Sequence, residues 1–376
     1  MYIALVKGYC VTLVLFLPGA FAMSGLLVGP SLLIVSAAIT TVCVAKLVEV
    51  AHHFNCYSYG VIADKVFGSR GRRALDVMIA VTQFAFTINL FAFIITSLKS
   101  SFDFIFGWDT SMNLLAGGCV CLLTPVAWVR NFSKFSFSYI AGNCLIIFII
   151  ILVAVHSFSQ IYANGVANFH YVNYDGIAPM IGFVIYAYEG IGVVLPIMSQ
   201  AEEPQNFKRI LVCAILSLTV IYVAFGGLCY LAYGDQTRII ITEMLPTTVF
   251  TSIIKILFCF NLVFSYSIII SPTNTIVEGW LFSEVKSKAG RRWSKNTSRS
   301  VVCLLAGILS TLLTVNLAKF LGVLGALLCG PLALTVPAAL HLKTLAVTPR
   351  AKLIDIALLI LSAFVLVFCT LKSIID

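Results

Sequence analysis

The chain has 376 residues, of which 60% are hydrophobic and only 10% are charged. Soluble domains usually have about 45–50% apolar and about 25% charged residues. This composition therefore excludes a water-soluble globular protein and indicates a chain that leaves its apolar surface in lipid. The formal net charge is +9, which would suit a nucleic-acid partner. The basic residues lie in short loops between apolar segments, however, so no nucleic-acid partner is expected.

Apolar runs recur along the chain at about the 18–25 residues that a helix needs to cross a bilayer. They lack the alternation of a membrane β-strand, and a backbone exposed to lipid must satisfy its own hydrogen bonds. The sequence therefore predicts an all-α polytopic membrane protein that lies in a lipid bilayer. About eleven spans are predicted, at roughly 3–24, 26–48, 74–98, 112–129, 138–158, 178–199, 210–232, 248–280, 300–318, 320–341 and 353–375.

Basic residues alternate between the loops in a way that sets the orientation. Lys and Arg are concentrated in every second loop, and the largest group lies in residues 286–299. Because basic loops stay on the cytoplasmic side, the N-terminus is predicted to be cytoplasmic and the C-terminus non-cytoplasmic. The expected location is the plasma membrane or an endolysosomal or vacuolar membrane. Lys46 and Glu49, spaced i to i+3 at the inner end of the second span, predict a local ion pair.

The N-terminal segment has a second interpretation. Lys7, the apolar run 9–17 and Ala20-Phe21-Ala22 also fit a cleavable signal peptide. Apolar sequence continues to about residue 45, which favours a retained helix. Most of the 12 cysteines lie within spans, so no structural disulfide is expected. No Cys/His spacing is typical of a metal site, and neither a metal nor a cofactor is expected.

Two spans contain helix-breaking residues. Leu17-Pro18 interrupts the first span, and Leu195-Pro196 follows Gly190 and Gly192 in the sixth. Proline removes a backbone donor and clashes with the preceding turn, so Pro18 and Pro196 are predicted to break their helices. Inside a membrane, the freed backbone groups are tolerated where they line a cavity or are buried in protein.

The first and sixth spans are five helices apart, so they cross the membrane in opposite directions. Broken helices at matching places in two opposed halves are typical of an inverted-repeat transporter. The sequence predicts one transmembrane domain, 1–376, with repeats at about 1–160 and 175–342 and a further helix at about 353–375. The alternative is that these prolines and glycines only shape helix packing, since both are common in membrane helices.

The substrate is expected between the two broken segments, where half-helix N-termini can meet a carboxylate. Glu189 is the acidic residue well inside a span, where an unpaired charge costs at least about 2.5 kcal/mol. It is either a proton-coupling group or a carboxyl that holds the break in shape by hydrogen bonds. The residues predicted to bind substrate are Val11, Thr12, Leu13, Tyr188, Gly190 and Gly192.

The sixth span carries a family signature. Tyr188-Glu189-Gly190-Ile191-Gly192-Val193-Val194-Leu195-Pro196 resembles the sixth-helix motif of the amino acid/auxin permease family. It is most similar to the proton-coupled amino acid transporter branch, which usually has Phe at the position of Tyr188. Weaker similarities, in sequence order, cover nearly the whole chain and begin at Lys7-Gly8. The resemblance implies the inverted-repeat amino acid permease fold with eleven helices.

The first span departs from that family. Its Gly-Thr-Gly is replaced by Val11-Thr12-Leu13, and Phe16 stands where the family has a later glycine. Those glycines let backbone N–H groups approach a substrate carboxylate. The proton-coupled branch often has His shortly before the Lys-Gly step, where this chain has Ala4. These departures therefore put two features in question: whether the first span can take part in transport, and whether transport is coupled to protons.

The best interpretation is secondary active transport of amino acids, small and neutral ones, by alternating access, with protons as the candidate coupling ion. Helices 1, 2, 6 and 7 would rock against the rest. The alternative is a permease-like protein that does not transport and acts as a nutrient sensor or assembly partner. A membrane enzyme is disfavoured because no nucleophile–base pair or metal cluster is visible. A channel is disfavoured because no selectivity-filter motif is visible.

Overall fold

Helices form nearly all of the secondary structure in the computed structural model, which describes residues 2–9, 12–130, 136–199, 206–282 and 287–375. No β-strand occurs in these ranges. The helices are α1 (Tyr2–Tyr9), α2 (Leu17–Ser24), α3 (Val28–Phe54), α4 (Tyr59–Phe106), α5 (Met112–Ala127), α6 (Ser136–Asn164), α7 (Ile177–Ala187), α8 (Ile191–Ser199), α9 (Phe207–Tyr233), α10 (Val249–Leu281), α11 (Lys288–Leu313), α12 (Leu317–Val323), α13 (Val336–Thr344) and α14 (Pro349–Ile375).

Eight helical segments of the described chain are long and apolar enough to cross a bilayer. Three shorter apolar helices accompany them, Leu13–Ser24, Met112–Ala127 and Ile177–Ala187. Each of the predicted spans overlaps one of these segments, and the total of eleven crossings stays a prediction. The 48 residues of α4 exceed one crossing, and the helix bends at Gly68, whose φ of 73° is open to glycine.

The chain divides into two units. Unit 1 consists of Met1–Met78, Ser157–Ile239 and Ala318–Asp376, and unit 2 of Ile79–His156 and Ile240–Leu317. Unit 1 therefore holds the first, second, sixth and seventh predicted spans, together with the tenth and eleventh. Each unit takes helices from both predicted repeats, whose boundaries stay a prediction.

In unit 1, glycines allow α7 to lie directly against the tenth span. A Cβ atom at Gly182 would overlap the carbonyl of Gly322, and one at Gly325 would overlap the carbonyl of Gly182. Small residues let membrane helices approach closely in this way. Between α12 and α13 the tenth span widens into two π-helical segments, Leu324–Cys329 and Pro331–Thr335. In these segments, the backbone hydrogen bonds of the tenth span depart from the α-helical pattern close to α7.

In unit 2, charged side chains are buried as pairs. Glu278 on α10 binds Arg299 on α11 at 2.6 Å, and the Arg299 guanidinium also donates to the carbonyl of Ala127 at 2.8 Å. Glu243 and Lys255 form a second pair at 3.1 Å, and both side chains are buried. Pairing and added hydrogen bonds offset part of the cost of removing such charges from water.

Candidate functional site

The first span is interrupted even though it lacks the expected glycines. Helix α1 ends at Tyr9, a 3-10 turn runs from Thr12 to Phe16, and α2 begins at Leu17. Pro18 lies in the first turn of α2, where its missing N–H costs no helical hydrogen bond. Leu13 is 6% exposed and Phe16 is fully buried. Large apolar side chains therefore pack the turn that glycines would have left open.

Part of the predicted site falls outside this description. Val11 lies outside the described residues, and only the backbone of Thr12 is described. Leu13 is the predicted first-span residue whose side-chain burial is known, and it points into protein.

The sixth span breaks earlier than expected. Helix α7 ends at Ala187 and α8 begins at Ile191, so the break is Tyr188–Gly190. Pro196 lies inside α8, and the prediction that it breaks the span is therefore wrong. Proline at the sixth position of this helix removes one hydrogen bond. The helix tolerates that loss, and the interruption lies instead at Tyr188–Gly190, directly after α7.

Side chains from neighbouring helices satisfy carbonyl groups at both breaks. The Tyr222 hydroxyl on α9 donates to the carbonyl of Tyr9 at the end of α1, at 3.1 Å. The Ser36 hydroxyl on α3 donates to the carbonyl of Val184 near the end of α7, at 3.2 Å. The last carbonyls of a helix lack partners within it. In a membrane, these donors therefore stabilise the interrupted shape of both spans.

The two broken spans meet in unit 1. The Tyr9 ring packs on the backbone of Gly190, and a Cβ atom there would overlap the ring. Tyr188 is fully buried; its hydroxyl lies 2.7 Å from that of Thr219, and its ring lies 5.8 Å from the ring of Tyr222. The Tyr188 side chain thus fixes the break against α9.

Glu189 and Gly192 form the polar and open part of this region. Glu189 is half-buried, and its N–H donates to the carbonyl of Tyr186 at 3.1 Å. Its carboxyl group interacts electrostatically with Tyr9, Tyr59 and Cys329. Gly192 is exposed, and no described atom lies within 4 Å of where its Cβ would be.

The first turn of α8 is therefore open beside a carboxyl group. The N–H groups of a first helical turn have no partners within the helix, and the helix dipole makes this end positive. Such an end attracts a carboxylate, while Glu189 offers an acceptor for an ammonium group or a proton. The arrangement suits a small zwitterion.

Sequence reasoning missed a cluster of charged residues in unit 1. The expected local pair of Lys46 with Glu49 is wrong, because Lys46 binds Asp355 on α14 at 2.7 Å and Glu49 binds Lys208 on α9. His341 on α13 lies between these two ion pairs, next to Asp355 and Glu49. The available signal was that Lys46, His341 and Asp355 each lie at the end of a predicted span. Among the described residues, no group of His, Cys, Asp and Glu is suited to hold a metal ion.

The fold and the paired breaks define a class of protein, the membrane transporters with interrupted first and sixth helices. The chain aligns over 99% of its length with 89% of a solved Na+-coupled sialic acid symporter, at a TM-score of 0.50 and 11% identity. That likeness confirms the all-α inverted-repeat fold class. The family of transmembrane amino acid transporter proteins matches residues 2–375. The chain belongs to this family, whose members are transporters and not enzymes.

Named relatives agree with this assignment. Vacuolar amino acid transporter 3 of Schizosaccharomyces pombe is 26% identical over 370 residues, which cover 97% of this chain and 56% of the relative. Vacuolar amino acid transporter 4 of Saccharomyces cerevisiae is 26% identical, covering 91% and 52%. Amino acid transporter AVT3A of Arabidopsis thaliana is 28% identical over 349 residues, covering 88% and 78%. The chain spans about half the length of the two fungal relatives.

Proposed function

We propose that this multi-pass membrane protein carries out secondary active transport of small neutral amino acids, coupled to protons, by alternating access. The observation that carries the proposal is the meeting of the two broken spans at Tyr9 and Gly190, with Glu189 and the open first turn of α8 beside them. Relatives named as vacuolar amino acid transporters support a vacuolar or other endomembrane location.

The substrate carboxylate binds at the start of α8 in this proposal. The backbone N–H groups of Ile191 and Gly192 lie in its first turn, and the position of a Cβ atom at Gly192 is open. Leu13 and Phe16 are buried where the family has more open sequence. Bulky side chains at these positions leave less room beside the break, which favours a small amino acid over a long or charged one.

Glu189 is the proposed proton-coupling group. A carboxyl group that is half-buried at a helix break can take a proton when the site faces one side and release it on the other. The competing role is structural, a carboxyl group that stabilises the break through hydrogen bonds. Glu189→Gln keeps the shape and, like a protonated carboxyl group, offers an acceptor oxygen and a donor, but it cannot titrate, so it separates the two roles.

The test is uptake of a panel of labelled amino acids into proteoliposomes, with and without an inward pH gradient. We expect wild-type uptake of small neutral amino acids to rise with the gradient. Glu189→Gln should remove that dependence with little loss of protein abundance. Asp175→Asn, an exposed carboxyl in the same unit, is the matched control and should behave as wild type.

Two results would contradict the proposal in different ways. If Glu189→Gln keeps the full pH dependence, Glu189 is not the coupling group and its role is structural. If the wild-type protein moves no amino acid in any condition, the transport proposal fails. Binding of an amino acid without movement would then favour the nutrient sensor or assembly partner.

A further inference from the structure

Five charged or titratable side chains meet in unit 1, away from the broken spans. We call this group the inner cluster. Its members come from α3, α9, α13 and α14, and they are Lys46, Glu49, Lys208, His341 and Asp355. Asp355 is 0% exposed, His341 8% and Lys46 11%, whereas Glu49 and Lys208 are each 41% exposed. The cluster therefore joins a buried carboxyl to a half-exposed one.

The imidazole of His341 bridges these two carboxyl groups. Its Nδ1 atom lies 2.6 Å from Oδ2 of Asp355, and its Nε2 atom lies 3.4 Å from Oε2 of Glu49. The Lys46 ammonium lies 2.7 Å from Oδ1 of Asp355 and 3.4 Å from Nδ1 of His341. Lys208 pairs with Glu49 at the exposed end.

The position of Nδ1 serves both neutral forms of the imidazole. When the proton is on Nδ1, it is donated to Asp355. When the proton is on Nε2, it faces Glu49, and Nδ1 becomes an acceptor, which at 2.6 Å from Oδ2 fits a protonated Asp355 that donates to it. A histidine with a purely structural role needs only one of these arrangements. Here the same nitrogen lies within reach of a donor and an acceptor.

The charges in the cluster balance when His341 is neutral, since two lysines face two carboxylates. A proton that stays on the imidazole adds a positive charge to a largely buried group, which is costly. A proton passed on to Asp355 leaves His341 neutral but keeps the same net charge of the cluster, which then lies on the Lys46 ammonium, beside a neutral acid. The Oδ1 atom of Asp355 is buried and makes no directed hydrogen bond to the described residues, although the Lys46 ammonium is near.

We propose that the inner cluster is a second proton-binding site of the transport cycle, at which His341 passes a proton between Glu49 and Asp355. In the inward step, a hydronium ion at the exposed end gives a proton to Nε2, directly or by first protonating Glu49, and Nδ1 gives its own proton to the carboxylate of Asp355. His341 then carries its proton on Nε2, and Asp355 is a neutral acid. The reverse step returns the proton to the exposed end.

Two further titratable groups of unit 1, Cys43 and Tyr59, interact electrostatically with members of the proposed proton sites. Cys43, one turn before Lys46 on α3, interacts electrostatically with Lys46 and Asp355. Tyr59 interacts with both Cys43 and Glu189, and its hydroxyl donates to the carbonyl of Leu332 at 3.1 Å.

This inference rests on the proposed proton-coupled transport, so the wild type is measured first. Proteoliposomes carry an entrapped pH dye, and labelled alanine is the probe unless the panel identifies another substrate. One assay follows the proton movement that the amino acid evokes. The other follows exchange of labelled for unlabelled amino acid, which requires no net proton movement.

Three variants test the cluster, His341→Gln, Asp355→Asn and the apolar triple Lys46→Met, His341→Leu and Asp355→Leu. The triple variant leaves no buried charge unpaired, which protects folding. We expect each variant to keep exchange but to lose evoked proton movement by at least about tenfold, with a flattened pH profile. The control is the paired replacement Glu278→Leu and Arg299→Met in unit 2, which should keep both activities.

The outcomes distinguish the two proposals. Unchanged proton movement in the folded triple variant overturns the second site and leaves transport standing. Loss of both exchange and proton movement in all three variants, with the control intact, also overturns it, because the cluster is then a structural support. If the wild type exchanges amino acids but the amino acid evokes no proton movement, the proposed proton site is refuted and the transport proposal stands. Absence of wild-type exchange removes the transport proposal itself.

Discussion

The contact between the two broken spans gives a sharp prediction at Gly190. An alanine Cβ at this position would overlap two atoms of the Tyr9 ring and would lie only 2.8 Å from a third, Cδ1. Ordinary van der Waals contact begins at 3.4 Å, so this atom alone must move by at least about 0.6 Å. Tyr9 is 4% exposed and cannot turn into open space. Overpacking of this kind costs about 1–3 kcal/mol.

The displaced ring also affects the site. Tyr9 ends α1, and its carbonyl accepts the Tyr222 hydroxyl, so a shift of α1 strains both the break and its support. We expect Gly190→Ala to lower the melting temperature of protein in nanodiscs and to reduce amino acid uptake more than abundance. Gly227→Ala is the control, because its Cβ would meet nothing within 4 Å on the same unit.

Alanine is favoured over glycine within a helix, so Gly227→Ala should be neutral or slightly stabilising. The difference between the two variants then measures the steric effect alone. Equal melting temperatures and equal uptake for the two variants would refute the reasoning. It would mean that Tyr9 does not pack on Gly190 in the membrane.

Three further predictions follow from the same structure. Tyr222→Phe removes the donor to the Tyr9 carbonyl and should lower stability by about 0.5–1.5 kcal/mol in thermal unfolding. Arg299→Met removes the closest partner of Glu278 but leaves Lys295 bound to it at 3.0 Å, so it should destabilise by less than about 3–5 kcal/mol, the cost of an unpaired buried charge, and adding Glu278→Leu should recover most of that loss. Asn296 lies in the predicted cytoplasmic loop 286–299, so it should carry no glycan in cells, and a glycan there would invert the predicted topology.

Hydropathy located the helices well because the length of an apolar run is a local property. The runs that predict the second and eighth spans correspond to α3, Val28–Phe54, and α10, Val249–Leu281. The ends were less accurate at α4, which begins at Tyr59, well before residue 74, and bends at Gly68. The charged residues of this first part lower its hydropathy, so a search for apolar runs does not detect it.

The break in the sixth span shows why local rules misplace a feature. Both Pro196 and Gly190 weaken a helix, and sequence alone gives the proline more weight. Tertiary contacts decide between them, because the Tyr9 ring occupies the space next to Gly190. No feature of the sixth span by itself reveals that contact.

The inner cluster could not be derived from the sequence for a related reason. Lys46, His341 and Asp355 each occur near the end of a separate span, where charged residues commonly reach water. Their pairing depends on how α3, α13 and α14 pack. The i to i+3 rule favoured Glu49 as the partner of Lys46, but a local pair is worth only about 0.2–0.5 kcal/mol. A buried carboxylate on another helix outweighs it.

Leu13 connects the altered first span with the substrate range. The family has glycine here, yet this chain keeps the interruption and buries Leu13 to 6% exposure. Leu13→Gly removes that packing, so we expect a stability loss of at least about 2–5 kcal/mol, the range of Leu→Ala replacements in cores. Folded molecules should nevertheless take up a wider range of substrates that includes larger neutral amino acids, because the side chain no longer fills the space beside the break.

The control for Leu13→Gly is Leu33→Gly, which removes a fully buried leucine from α3. It should cost similar stability without changing the substrate range. If both variants lose stability and neither changes the range, Leu13 supports the turn and does not border the substrate. If Leu13→Gly abolishes transport in folded protein, the packing of the Leu13 side chain is needed to keep the first span interrupted. Glycine at this position would then not be enough to maintain the interruption.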